Sequence, residues 1–99
     1  MPAYLIPDVS VKDADAFQAY RTRAAASIEQ HGGRYLVRGG PVDTLEGSWT
    51  PATIIIVEFP DIELAQAWYR SPEYAAAFAF RDDALSRNLV LVDGISSPA

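Results

Sequence analysis

The 99-residue chain contains no cysteine. Disulfides, thiolate-held zinc, iron–sulfur clusters and thiol nucleophiles are excluded together. Small secreted domains usually need covalent staples, so a reducing, cytoplasmic setting is expected. Histidine occurs once, at His31, which is too little for a histidine-built metal site, and no metal is expected. Lysine also occurs once, at Lys12, and Lys plus Arg number 8 against 13 Asp plus Glu, a formal net charge of −5. Binding to phosphate backbones needs a basic surface, so neither nucleic acid nor an anionic membrane is an expected partner. No apolar run approaches the ~18 residues of a membrane-spanning helix. Residues 1–6 enter a strand pattern with no basic segment ahead of them, and no signal peptide is expected.

Apolar residues are plentiful, at 49%, which favours a folded domain over a disordered chain. The length suits one domain spanning residues 1–99. Residues 4–11 read as a first strand, with Pro7 expected to bulge or interrupt a ladder. Asp13 is a helix N-cap, and Phe17, Tyr20, Ala24, Ile28 and His31 fall on one helical face. Gly32-Gly33 ends that helix. Residues 34–38 form a second strand, with a continuation over 42–46 after the Gly39-Gly40-Pro41 bend. Residues 53–59 form a third. Asp61 caps a second helix, which Ser71-Pro72-Glu73 restarts and which runs to about residue 86. Residues 89–92 form the last strand, and the tail 96–99 is expected to be loose.

This β-α-β-β-α-β order predicts an α+β, ferredoxin-like fold: an antiparallel sheet with helices on one face. Such a sheet ordinarily alternates apolar and polar positions. Ile54-Ile55-Ile56-Val57 and Leu89-Val90-Leu91-Val92 are apolar on both faces. The helices hide only one of these faces. A second copy of the same sheet is the simplest cover for the other, so a homodimer through the sheet face, a dimeric α/β barrel, is expected.

Four segments carry a family likeness: His31-Gly32-Gly33-Arg34-Tyr35-Leu36-Val37-Arg38-Gly39-Gly40, Glu46-Gly47-Ser48-Trp49-Thr50-Pro51, Glu58-Phe59-Pro60, and Ala67-Trp68-Tyr69-Arg70-Ser71-Pro72-Glu73-Tyr74. Together they resemble the uncharacterised family called domain of unknown function 1330, over nearly the whole chain. The resemblance implies the same ferredoxin-like fold and dimeric α/β barrel, and no particular reaction. The wider superfamily spans cofactor-free monooxygenases, isomerases, dehydratases, haem proteins and ligand-binding modules, so the architecture alone selects none of them. Pro7 departs from the aliphatic residue such a strand would carry.

Three groups of residues are candidates for chemistry. Histidine is the side-chain type whose unperturbed pKa lies near neutrality, so His31 is either a general base or acid, or a capping residue bonded to backbone. Arg38 and Glu58 lie near the ends of neighbouring strands. They are a carboxylate anchor and a base, or else a structural ion pair. Among the aromatics Tyr4, Tyr35, Trp49, Trp68, Tyr69, Tyr74, Phe78 and Phe80, the expected ligand-lining set is Tyr35, Trp49, Trp68 and Tyr74, with core packing as the alternative. Trp49 stands apart in a turn, where it would cover a partner chain or a pocket mouth. The glycine pairs lack phosphate-loop spacing, and no serine has a nucleophile-elbow context. No cofactor is expected. These features suit a small cofactor-independent isomerase, lyase or monooxygenase acting on a small organic molecule. The alternatives are a ligand-binding module without turnover and a structural dimer.

Overall fold

A computed structural model describes residues 1–79 and 81–95. Phe80 and the tail 96–99 lie outside the described residues. Strand β1 (Ala3–Val11) leads to helix α1 (Ala14–Gln30), then β2 (Arg34–Arg38) and β3 (Ile55–Phe59). The second helical region is split into α2 (Ile62–Tyr69), α3 (Pro72–Phe78) and the single turn α4 (Arg81–Ala84), followed by β4 (Leu85–Asp93). The strands lie in the order β2-β3-β1-β4, all pairs antiparallel, with both crossovers closing over one face: a ferredoxin-like α+β fold.

Local chemistry places the helices. The Asp13 carboxylate accepts the Asp15 amide at 3.0 Å, that of Asp61 accepts Leu64 N–H at 2.8 Å, and Ser71 Oγ accepts Tyr74 N–H at 3.1 Å. At the end of α1, Gly32 takes φ +83° and the Gly33 amide donates to Ile28 O at 2.9 Å. The adjoining Gly33 is required by space: a Cβ there would lie 2.6 Å from Ile28 Cγ2 and 2.9 Å from Phe59 Cε1.

Two expectations need correction. Residues 42–46 do not extend β2; chain 39–53 is irregular and exposed for most of its length. Among the described residues no strand lies beside 42–46 to bond them. The second helix does not run to residue 86, and β4 opens at Leu85. The reason is β1: its whole length is matched, from Ala3↔Asp93 to Val11↔Leu85, and Ala84 O accepts the Lys12 amide at 2.8 Å. A full ladder with buried Leu85 outweighs the local preference of a polar stretch for helix.

Pro7 interrupts the β1–β3 ladder as expected. Pairing covers Ala3, Tyr4 and Leu5, stops, and resumes at Asp8↔Ile54 and Val9 N–H to Thr53 O, in unchanged register. The interruption is therefore a missing donor and not a bulge.

The helix-facing positions Leu5, Val9, Val57, Phe59 and Leu85 pack with Tyr20, Ala24 and Ile28 of α1, Ala65 and Trp68 of α2, and Tyr74 and Ala77 of α3. The opposite face carries Ile6, Ile54, Ile56, Val90 and Val92, with Val90 53% and Val92 47% exposed. Among the described residues no helix or strand covers that face. No helix among them is long and apolar enough to cross a membrane.

Candidate functional site

A cavity of about 200 Å³ opens between the sheet and the helix layer. Its floor is the inward parity of β1 and β3, Leu5, Pro7, Val9, Ile55 and Val57. Its roof is α1, through Phe17, Tyr20, Arg21 and Ala24, with Trp68 from α2. Tyr35 and Arg38 close the β2 side and Arg87 the β4 side.

At the β4 side the Arg87 guanidinium meets two phenols. Its Nη1 donates to Tyr20 Oη at 2.6 Å and its Nη2 donates to Tyr74 Oη. The two hydroxyls lie 3.0 Å apart and share one O–H···O bond. Proton counting is informative here. Two phenols carry two protons, and the contact between them uses one. The other belongs to whichever phenol accepts in that contact, and of the two phenols Tyr20 lines the cavity. Burial raises the Tyr20 pKa well above its usual value, with Arg87 pulling the other way by a smaller amount. Tyr20 thus holds its proton at neutral pH. Burial also works against the charge on Arg87, but the tyrosine oxygens outweigh it and the net shift is upward.

The β2 side is shaped by a register change. Tyr35 pairs with Val57 and Val37 with Ile56, leaving Leu36 bulged. Strict alternation would put Arg38 beside Arg34 on the outer face. The bulge returns Arg38, opposite Ile55, to the helix-facing side, where its guanidinium stacks 4.4 Å from the Tyr35 ring centroid. Burial raises the Tyr35 pKa, while Arg38 and Arg21 both act to lower it, so the two cations flank this phenol from β2 and α1.

The residues singled out from sequence separate accordingly. Tyr35, Trp68 and Arg38 line the cavity. Tyr74 is buried behind it, with its hydroxyl on Arg87 and its ring 4.3 Å from that of Trp68. The pairing of Arg38 with Glu58 is not formed. Glu58 occupies the outer face and accepts from Arg34 Nε at 2.9 Å, because it pairs with Arg34 in the ladder. His31 is outside the cavity at the C-cap of α1, where Nδ1 donates to Ser27 O at 2.9 Å. Trp49 lies on the outer side, 63% exposed, with its indole N–H donating to Asp8 at 3.2 Å.

Sequence reasoning missed Tyr20, Arg21 and Arg87 as site residues. Tyr20 reads in the sequence as one more member of the packed face of α1, and Arg21 falls off that face. Arg87 lies ahead of the strand expected at 89–92; in the longer observed β4 it shares the inward parity of Leu85, Leu89 and Leu91. Among the described residues no group of three or more His, Cys, Asp or Glu could hold a metal ion.

A ferredoxin-like α+β chain with an apolar cavity edged by phenols and guanidiniums is thus the class that the geometry defines. The chain belongs to the family described as domain of unknown function (DUF1330), whose model matches residues 2–95. No curated protein matches it. Among solved structures it is similar to a protein of unknown function from Rhodopseudomonas palustris, with a TM-score of 0.78, 20% identity, and coverage of 96% of this chain and 83% of that one. It is also similar to a protein from Nitrosomonas europaea provisionally named an antibiotic biosynthesis monooxygenase, with a TM-score of 0.57, 14% identity and coverage of 99% and 94%. A third likeness is to a conserved protein of unknown function from Bacteroides thetaiotaomicron, suggested to be an oxidoreductase, with a TM-score of 0.60, 18% identity and coverage of 94% and 97%. At these identities the likeness shows the fold.

Proposed function

We propose that the chain works in the cytoplasm as a homodimer that takes a small organic molecule into the cavity and acts on it without a cofactor, in an isomerase, lyase or monooxygenase type of reaction. The observation that carries this reading is the Tyr20–Tyr74–Arg87 cluster at the end of an apolar cavity. A phenol that keeps its proton and is backed by a guanidinium is a pre-set donor for a carbonyl or enol oxygen. It would favour a step in which negative charge develops on that oxygen. The provisional name of the Nitrosomonas europaea protein is compatible with chemistry of this kind.

A second reading, binding without turnover, is favoured by one observation. Among the described residues the cavity lining contains tyrosine and arginine but no carboxylate and no histidine, so no side chain there is an ordinary general base.

The homodimer is supported by the uncovered outer face. It is also supported by Val42, Leu45 and Trp49 on the exposed 39–53 connection, since Trp49 bonds Asp8 at the edge of that same face.

The test incubates the purified protein with a small-molecule extract of its host and follows each component by mass spectrometry. A Thr53→Trp variant, which blocks the cavity from its rim, is the control. The enzymatic reading expects a component that the wild type converts and the variant does not. Retention of a component without conversion, again lost in the variant, would establish the binder. Conversion that persists in the blocked variant would remove the cavity from the mechanism.

A further inference from the structure

We infer that the cavity takes an organic anion: a small carboxylate whose charged end is held by Arg21 and Arg38 and whose apolar body lies against Trp68. This rests on the reading of the cavity as a ligand site and names the class of ligand. The chain is acidic overall, with 13 Asp and Glu against 8 Lys and Arg. A surface drawn at random from it would carry net negative charge. The cavity has the opposite balance: Arg21, Arg38 and Arg87 line it, and no described carboxylate does.

The three guanidiniums are not equivalent. Arg87 is engaged by the two phenols and holds their geometry. Arg34 pairs with Glu58 on the outer face, and neither Arg21 nor Arg38 takes part in that ion pair. Glu29 borders a separate groove, which Arg38 also lines, and is not part of the cavity lining. Two forked donors, one from α1 and one from β2, both acting on Tyr35, match a planar carboxylate better than a point charge. Positive charge gathered at a cavity that no described carboxylate lines raises the local concentration of anions.

Size narrows the class further. The cavity, at about 200 Å³, falls below the ~300–1,000 Å³ typical of drug-sized ligand sites, so a single ring or a short branched chain fits and a polycycle does not.

Benzoate and its neutral isostere benzamide are the probes. The readout is the indole N–H resonance of Trp68, which lines the cavity; that of Trp49, on the outer side, is the internal control. Benzoate is expected to shift Trp68 and leave Trp49 in place. Benzamide is expected to bind at least about fivefold more weakly. Arg21→Gln and Arg38→Gln, both at the rim, are each expected to weaken benzoate about fivefold or more and to leave benzamide within about twofold. Equal affinity for benzoate and benzamide in the wild type would overturn the anion inference while leaving the ligand site standing. Benzoate binding indifferent to both substitutions would overturn the assignment to Arg21 and Arg38. No shift of Trp68 with either probe would overturn the inference together with the reading beneath it.

Discussion

Tyr20 joins most of the site's properties in one side chain. It is 7% exposed, it bonds Arg87 and Tyr74, and it presents an edge to the cavity. Its folded pKa is raised above the ordinary tyrosine value of 10.0 because burial disfavours the phenolate. The sign of the pH effect follows from this. In the unfolded chain Tyr20 ionises near 10.0, while the folded chain keeps the proton. Its contribution to stability is therefore complete below that pH and is lost as pH rises toward the folded value. A fully retained proton corresponds to a loss of about 1.4 kcal/mol for each pH unit above the unfolded value. Urea unfolding across the alkaline range should show stability falling more steeply for wild type than for Tyr20→Phe. Parallel slopes would mean that Tyr20 is not the group responsible. Tyr35, also raised by burial, leaves some slope in the variant. The aromatic identity of Tyr20 and its place on the packed face of α1 are legible in the sequence. Its partnership with Arg87 is not, because residues 67 apart in the chain meet only across the sheet–helix interface.

At the scale of elements, caps and periodicity are readable and register is not. Asp13, Asp61 and Ser71 are N-caps as their sequence context indicates. Each acts through amides two or three residues away, so local sequence is sufficient. The bulge at Leu36 decides which face Arg38 occupies, and nothing local marks it, since Arg34-Tyr35-Leu36-Val37-Arg38 fits an unbroken strand equally well. The α1–β2 junction offers a prediction of its own. Gly33→Ala forces a methyl against Ile28 and Phe59 and should cost about 1–3 kcal/mol of stability. Gly40→Ala meets nothing within 4 Å and should stay within about 0.5 kcal/mol of wild type. Thermal or urea unfolding of the two variants measures the contrast, and equal effects would refute the packing account of Gly33.

The whole molecule is a slab of 41 × 39 × 16 Å with helices on one side only. An uncovered apolar sheet face is an energetic liability for a lone chain and an asset for a symmetric pair. The two-sided apolar runs of β3 and β4 carry this signal in their residue pattern alone. Sedimentation of the wild type should give a dimer. Val90→Asp together with Val92→Asp should give a monomer with unchanged far-ultraviolet circular dichroism, because both side chains are about half exposed in the single chain. A wild-type monomer at micromolar concentration would overturn the assembly proposal.

Composition, caps and periodicity set most of the secondary elements, the fold class and the shortage of metal-binding side chains. Those features depend on short-range rules: which residue bonds a neighbouring amide, which repeat spacing builds a face, which side chains are absent. The tertiary structure decided the site. The full-length ladder between β1 and β4 turned Arg87 inward, and a one-residue bulge in β2 turned Arg38 inward. The same sheet parity sent Glu58 outward to Arg34. Strand side chains alternate with a period of two, so a shift of one residue exchanges cavity for surface, and the hydrogen bonds that set the shift come from distant parts of the chain.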